Sequence, residues 1–164
     1  MTSTYEKIAT NTLGSSAASI TFSSIPNTYT DLVIVTNVKS TTTGNMTLRF
    51  NSDSSSLYSY TRLTGDGSSA ASSRITDFNQ LFTDSQGYFD GNNFNQVKTI
   101  NIMNYSNTTT FKTCLIRSNR VQTGVDAIAG LYRSTSAITS ILLSGNGNNF
   151  VAGSTFNLYG IKAE

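Results

Sequence analysis

Residues 153–164 read GSTFNLYGIKAE. Phe156 and Leu158 fall on one face of an extended segment, and Tyr159 and Ile161 fall near or on the other. Chain ends are usually polar and loosely held. A core-type strand this close to the C-terminus indicates that the last segment is tied into a sheet, whose neighbouring edge would otherwise stand unpaired.

The same alternation extends back along the chain. GNGNN at 145–149 is the sharpest turn signal, and Val125 to Tyr132, Ala137 to Ser144 and Val151 to Ile161 read as strands around it. In FNQVKTINIMNY, 94–105, Phe94, Ile100 and Ile102 share one face, with Val97, Met103 and Tyr105 on the other. NTTTFKTCLIRSNR, 107–120, turns at Asn107-Thr108-Thr109 and then sets Phe111 and Leu115 against Cys114 and Ile116. Ala18 to Phe22 alternates and runs into the only proline, Pro26, at a turn. Tyr29 to Val38 carries Leu32, Ile34 and Val38 on one face and Val33 and Val35 on the other, the pattern of a central strand. Met46, Leu48 and Phe50 mark a half-buried strand.

The middle is softer. Residues 51–74 hold one strand at Tyr58 to Leu63 and then a Gly/Ser/Ala segment expected to be an exposed loop. In 75–93, the spacing of Ile75, Phe78, Leu81 and Phe82 fits a short helix or an irregular pair of strands. The expectation is an all-β, jelly-roll-like antiparallel sandwich of 8–10 strands with at most one short helix. Residues 1–164 would form a single domain, with a short N-terminal arm at 1–13.

Composition agrees with a folded β protein. Charged residues are only 12% of the chain, whereas Ser (24), Thr (25) and Asn (17) are abundant, so solubility comes from hydroxyls and amides. A net charge of +2 with 37% hydrophobic residues does not fit disorder, which combines low hydrophobicity with high charge. Lys and Arg are spread singly apart from Arg117 and Arg120, read as a solvated strand end, so neither nucleic acid nor an anionic membrane is expected as a partner. No apolar run approaches a membrane span and the N-terminus lacks an apolar signal core, so synthesis in a cytoplasm without an export signal is expected.

Chemistry is constrained by what is missing. The chain has no histidine, which removes the Ser-His-Asp triad, the Cys-His pair and the commonest zinc ligand. Its one cysteine, Cys114, reads as a buried small hydrophobe and can form neither an internal disulfide nor a thiolate metal cage. A carboxylate pair is the remaining acid/base option. Asp53, Asp66, Asp77, Asp84 and Asp90 each stand beside Ser, Gly or Asn, where Asp ordinarily bonds its own backbone in a turn. DSQGYFDGNN, 84–93, has oxygen donors of the kind Ca²⁺ takes, without EF-hand spacing, and a metal-free turn is the preferred reading. Gly145-Asn146-Gly147 lacks the third glycine and the helix of a dinucleotide site. The sequons at Asn45, Asn104 and Asn107 are what such a composition yields by chance. Tyr58, Tyr60, Tyr88, Phe89 and Tyr132 are expected to close the ends of the core or to form a binding surface. No catalytic, cofactor-binding or metal residue is assigned, and no enzymatic activity or cofactor is expected.

Three stretches, YEKIATNTLGSSAASITFSSIPNTYTDLVIV (5–35), NYSNTTTFKT (104–113) and AGSTFNLYGIK (152–162), together resemble a group of tailed-bacteriophage virion proteins, many from phages of aquatic bacteria such as cyanobacteria. The resembling motifs are made of strand and turn residues. The resemblance implies a jelly-roll-like sandwich without enzymatic activity. It further implies a capsid decoration (cement) protein that binds the major capsid protein or other virion proteins, typically as a homotrimer. Its alternative is a tail or tail-fibre module that recognises host surface carbohydrate. A fibre protein normally carries an attachment segment and a repetitive shaft, and neither is seen, which favours the capsid. On position and composition, residues 1–13, or the loops at 51–74 and 84–93, are expected to make the contacts with neighbours.

Overall fold

A computed structural model describes residues 4–85, 89, 91, 94–120 and 124–162, with the side chain of Arg120 excepted. Twelve strands follow one another: β1 Tyr5–Thr12, β2 Ser19–Phe22, β3 Asp31–Val38, β4 Thr47–Phe50, β5 Tyr58–Gly65, β6 Ala70–Phe78, β7 Leu81–Phe82, β8 Gln96–Met103, β9 Lys112–Arg120, β10 Gly124–Tyr132, β11 Ile141–Ser144 and β12 Thr155–Ile161. Among the described residues there is no helix. The strands form two antiparallel sheets, in the orders β1-β12-β3-β8-β9-β10-β5-β6 and β2-β11-β4-β7.

The pairings nest. β4 pairs with β7, β3 with β8, β2 with β11 and β1 with β12, while β12 also joins β3 and β11 also joins β4. That winding, in which the chain crosses from one sheet to the other and its two ends meet, is a jelly roll. Two hairpins enlarge it. β9-β10 is inserted between β8 and β11, and β5-β6 between β4 and β7, and both add to the same sheet.

Register explains the core. Leu158, Ile34, Ile100, Ile116 and Ile128 stand opposite one another on successive strands, all buried. The next inward row is Leu32, Ile102, Cys114, Gly130 and Tyr60. The smaller sheet answers with Phe22-Ile141-Phe50 and Ile20-Leu143-Leu48-Leu81. Side chains from both sheets form one buried cluster. Gly130 has no room for a side chain: a Cβ there would lie 2.7 Å from Cys114 Sγ on the next strand and 3.1 Å from a methyl of Leu81 on the smaller sheet.

The C-terminal strand lies inside the large sheet, and Leu158 is 1% exposed. Three expectations need correction. Among the described residues there are twelve strands, not 8–10. Residues 1–13 are not an arm from Tyr5 onward, since Tyr5–Thr12 pairs with β12 as an edge strand. The Gly/Ser/Ala loop is the turn and strand of the β5-β6 hairpin; of the two readings of the stretch from Ile75 to Phe82, the irregular pair of strands holds, with β6 and β7 separated by Asn79-Gln80. β6 escaped notice because Ala70 to Arg74 is exposed on both faces, leaving no alternation to read. Tyr105 lies in the turn after β8 and is fully buried.

Leu158→Ala should lower the unfolding free energy by about 2–5 kcal/mol. Leu63→Ala, at an exposed position, should change it by less than about 0.5 kcal/mol. Urea denaturation followed by circular dichroism measures both.

Candidate binding surface

On the outer face of the inserted hairpins, successive strands point apolar side chains at solvent. Leu63 on β5 is 59% exposed, Leu115 on β9 52% and Val125 on β10 61%. Between the two leucines run Ala127, opposite Leu63, and Ala129, opposite Leu115. Small residues flanked by large ones make a concave floor, a depression of about 390 Å³ lined by Thr61, Leu63, Asn101, Leu115, Ala127 and Ala129. A second depression of about 670 Å³ continues from Leu63 and Ala127 towards Val125 and Ala70.

Two arginines flank this floor. Arg117 stands opposite Ala127 on β9, and Arg74 opposite Thr61 on β6. The outward positions of β8, β9, β10 and β5 carry no carboxylate among the described residues. On β6 the first one, Asp77, is already bonded to Arg133. A contiguous apolar patch with a cationic rim marks a surface for association.

The inner side of the same strands is polar at one end. Thr36, Lys98, Ser118, Asp126 and Thr64 form a row across β3, β8, β9, β10 and β5. Lys98 and Asp84 are both fully buried, with Nζ 2.5 Å from Oδ2. Asp84 Oδ1 accepts hydrogen bonds from Asn45 Nδ2 at 3.1 Å and from the Met46 amide at 3.2 Å. Burial pushes the Asp84 carboxyl above the usual carboxylate range, against the pull of Lys98. Asp126 accepts from the Ser85 amide at 2.7 Å and from the hydroxyls of Ser85 and Thr64 at 2.5 and 2.6 Å. Lys112 is also buried and donates to the Thr110 and Thr135 carbonyls, and burial lowers its pKa.

The carboxylates considered for acid/base work do not converge on one another. Asp53 caps Ser55 and accepts from Tyr132 Oη at 2.7 Å. Asp66 closes the β5-β6 turn through the amides of Ser68 and Ser69. Asp77 pairs with Arg133 and Asp84 with Lys98. Asp90 lies outside the described residues, as do Tyr88 and most of the proposed calcium segment. Among the described residues no three His, Cys, Asp or Glu side chains gather as metal ligands. Tyr58 and Tyr132 stack at 4.7 Å and close one end of the core, as Phe89 does against Phe150. Cys114 is buried, and burial raises its pKa to about 12.

Sequence reasoning missed Lys98, Lys112 and Asp126. Their signal was parity, since each shares its face with buried residues: Lys98 with Ile100, Lys112 with Cys114, Asp126 with Ile128. No protein-family model matches the chain, and no curated protein matches it.

Hydrogen bonds from Ser55 and then Tyr132 hold Asp53 below its ordinary value near 3.8, and those from Ser69 and Ser68 do the same for Asp66. A depressed folded pKa stabilises the native state above the unfolded value and ceases to do so as pH falls through the folded one. Stability should therefore drop below about pH 4. Asp53→Asn and Asp66→Asn should each make that drop shallower, measured as urea midpoints against pH relative to the parent.

Proposed function

We propose that the chain is a non-enzymatic virion structural protein, a capsid decoration protein that binds the shell as a symmetric oligomer, with a trimer favoured. One observation carries this reading: in a chain solubilised by hydroxyls and amides, the inserted hairpins turn Leu63, Leu115 and Val125 outward over an alanine floor. Each exposed apolar side chain forgoes roughly 25 cal/mol per Å² that burial would return. A shared face on adjacent strands is what a partner would cover. The arginine rim, without a free carboxylate beside it, suits a partner surface with apolar knobs flanked by Asp or Glu. Family resemblance supplies the setting, the virion, and the major capsid protein as that partner. The surface differs from the loops expected to make contacts, because residues 58–65 and 70–78 are strands and act through a sheet face.

Imaging the intact particle that carries this chain tests the reading. Density on the symmetry axes of the shell is expected. Density at the tail would instead favour the host-recognition alternative, and absence from the particle would reject both. The double variant Leu63→Asp, Leu115→Asp should remain folded and lose at least tenfold in affinity for the shell, measured by co-sedimentation with capsids lacking the protein.

A further inference from the structure

The buried pair of Lys98 and Asp84 has no part in surface binding and carries a cost as an ion pair. Two charges removed from water lose several kcal/mol of solvation each, and their attraction recovers this only with full hydrogen bonding. Asp84 Oδ2 faces Lys98 Nζ at 2.5 Å, while Oδ1 takes the Asn45 donor at 3.1 Å and the Met46 amide at 3.2 Å, the amide being shared with Oδ2 at 3.3 Å. Phe89 covers the amine, with its ring centroid 5.7 Å from Nζ. The loop bearing Asp84 is pinned by its neighbour Ser85, whose amide and hydroxyl both bond Asp126. An amine and a carboxyl are thus held in contact in a dry site, with two donors polarising the oxygen that would remain as a carbonyl.

We propose that Lys98 and Asp84 condense into an intramolecular amide joining β8 to the segment after β7. A proton passes from the ammonium to Oδ2, which leaves the neutral amine facing the carboxylic acid. The Nζ lone pair then attacks Cγ, and the developing negative charge on Oδ1 is met by Asn45 Nδ2 and the Met46 amide. The Cγ–Oδ2 bond breaks, and Oδ2 departs as water with two of the three ammonium protons. The third proton stays on the amide nitrogen. No oxidant, reductant or activating co-reactant is consumed. Fixed contact replaces the encounter of two solutes, an advantage reaching roughly 10⁵–10⁸ M in effective concentration. Removing both buried charges drives the exchange, which in open water would favour the ions.

Peptide mass mapping of the whole protein, purified folded, then denatured and digested with trypsin, decides the matter. The expected result is a fragment spanning residues 75–112, uncut after Lys98, lighter than its sequence by one water and yielding no backbone fragments from within 84–98. Its share should grow when the folded protein is incubated. Lys98→Arg and Asp84→Ala should each give sequence masses, with cleavage after position 98 in both. Full sequence mass with normal cleavage after Lys98, unchanged by prolonged incubation, would overturn the proposal. So would loss of water with cleavage intact, which indicates a cyclic imide at Asp84. Both readouts come from the parent protein, so a variant that fails to fold does not obscure them.

Discussion

The pairing of β12 between β1 and β3 is the constraint on which the rest of the molecule depends. A sheet strand satisfies its amides only through neighbours, and here the neighbours of the last strand are the first and the third. Closure of the large sheet therefore waits on the whole chain, and the long-range pairing β1-β12 is bought with the entropy of a loop nearly as long as the protein. The return is a core in which inward rows from two sheets meet without a disulfide or helix among the described residues. Such a fold gains little from any local segment. One of its local units, the β5-β6 hairpin, is bare on both faces from Ala70 to Arg74.

Two kinds of inward row share the large sheet. The isoleucine row through Ile34, Ile100, Ile116 and Ile128 packs on the smaller sheet and stabilises by area removed from water. The row through Lys98, Ser118, Asp126 and Thr64 meets the segment after β7, and its groups bond to Asp84 and Ser85. The apolar rows thus fill the middle of the sandwich, and a hydrogen-bonded polar network seals the end at residues 83–85. A polar network demands particular partners in particular places, so it fixes the path of residues 83–85 far more narrowly than apolar contact would.

The inserted hairpins widen one sheet. The inward sides of β9, β10 and β5 still enter the shared core through Ile116, Ile128 and Tyr60, whereas Ala70 to Arg74 of β6 is bare on both faces and the outward sides of β5, β9 and β10 present a broad face of their own. In the proposed role this division has a simple meaning: the wound eight strands hold the shape, and the added strands offer it to a neighbour.

Period-two alternation was legible in the amino-acid order, and with it the all-β class, nearly every strand and which residues of β3, β8, β9 and β12 share a face. Those features follow from alternation, which is a local property of the chain. The absence of histidine likewise disposed of whole classes of chemistry before any coordinates. Only the tertiary structure revealed β6, because a strand bare on both faces has no burial pattern, and only it joined Lys98 to Asp84. Along the chain those two residues are an isolated cation and an acid of turn-forming type. Their union depends on which strand lies beside which, and strand order is set by pairing between distant segments that no local pattern encodes.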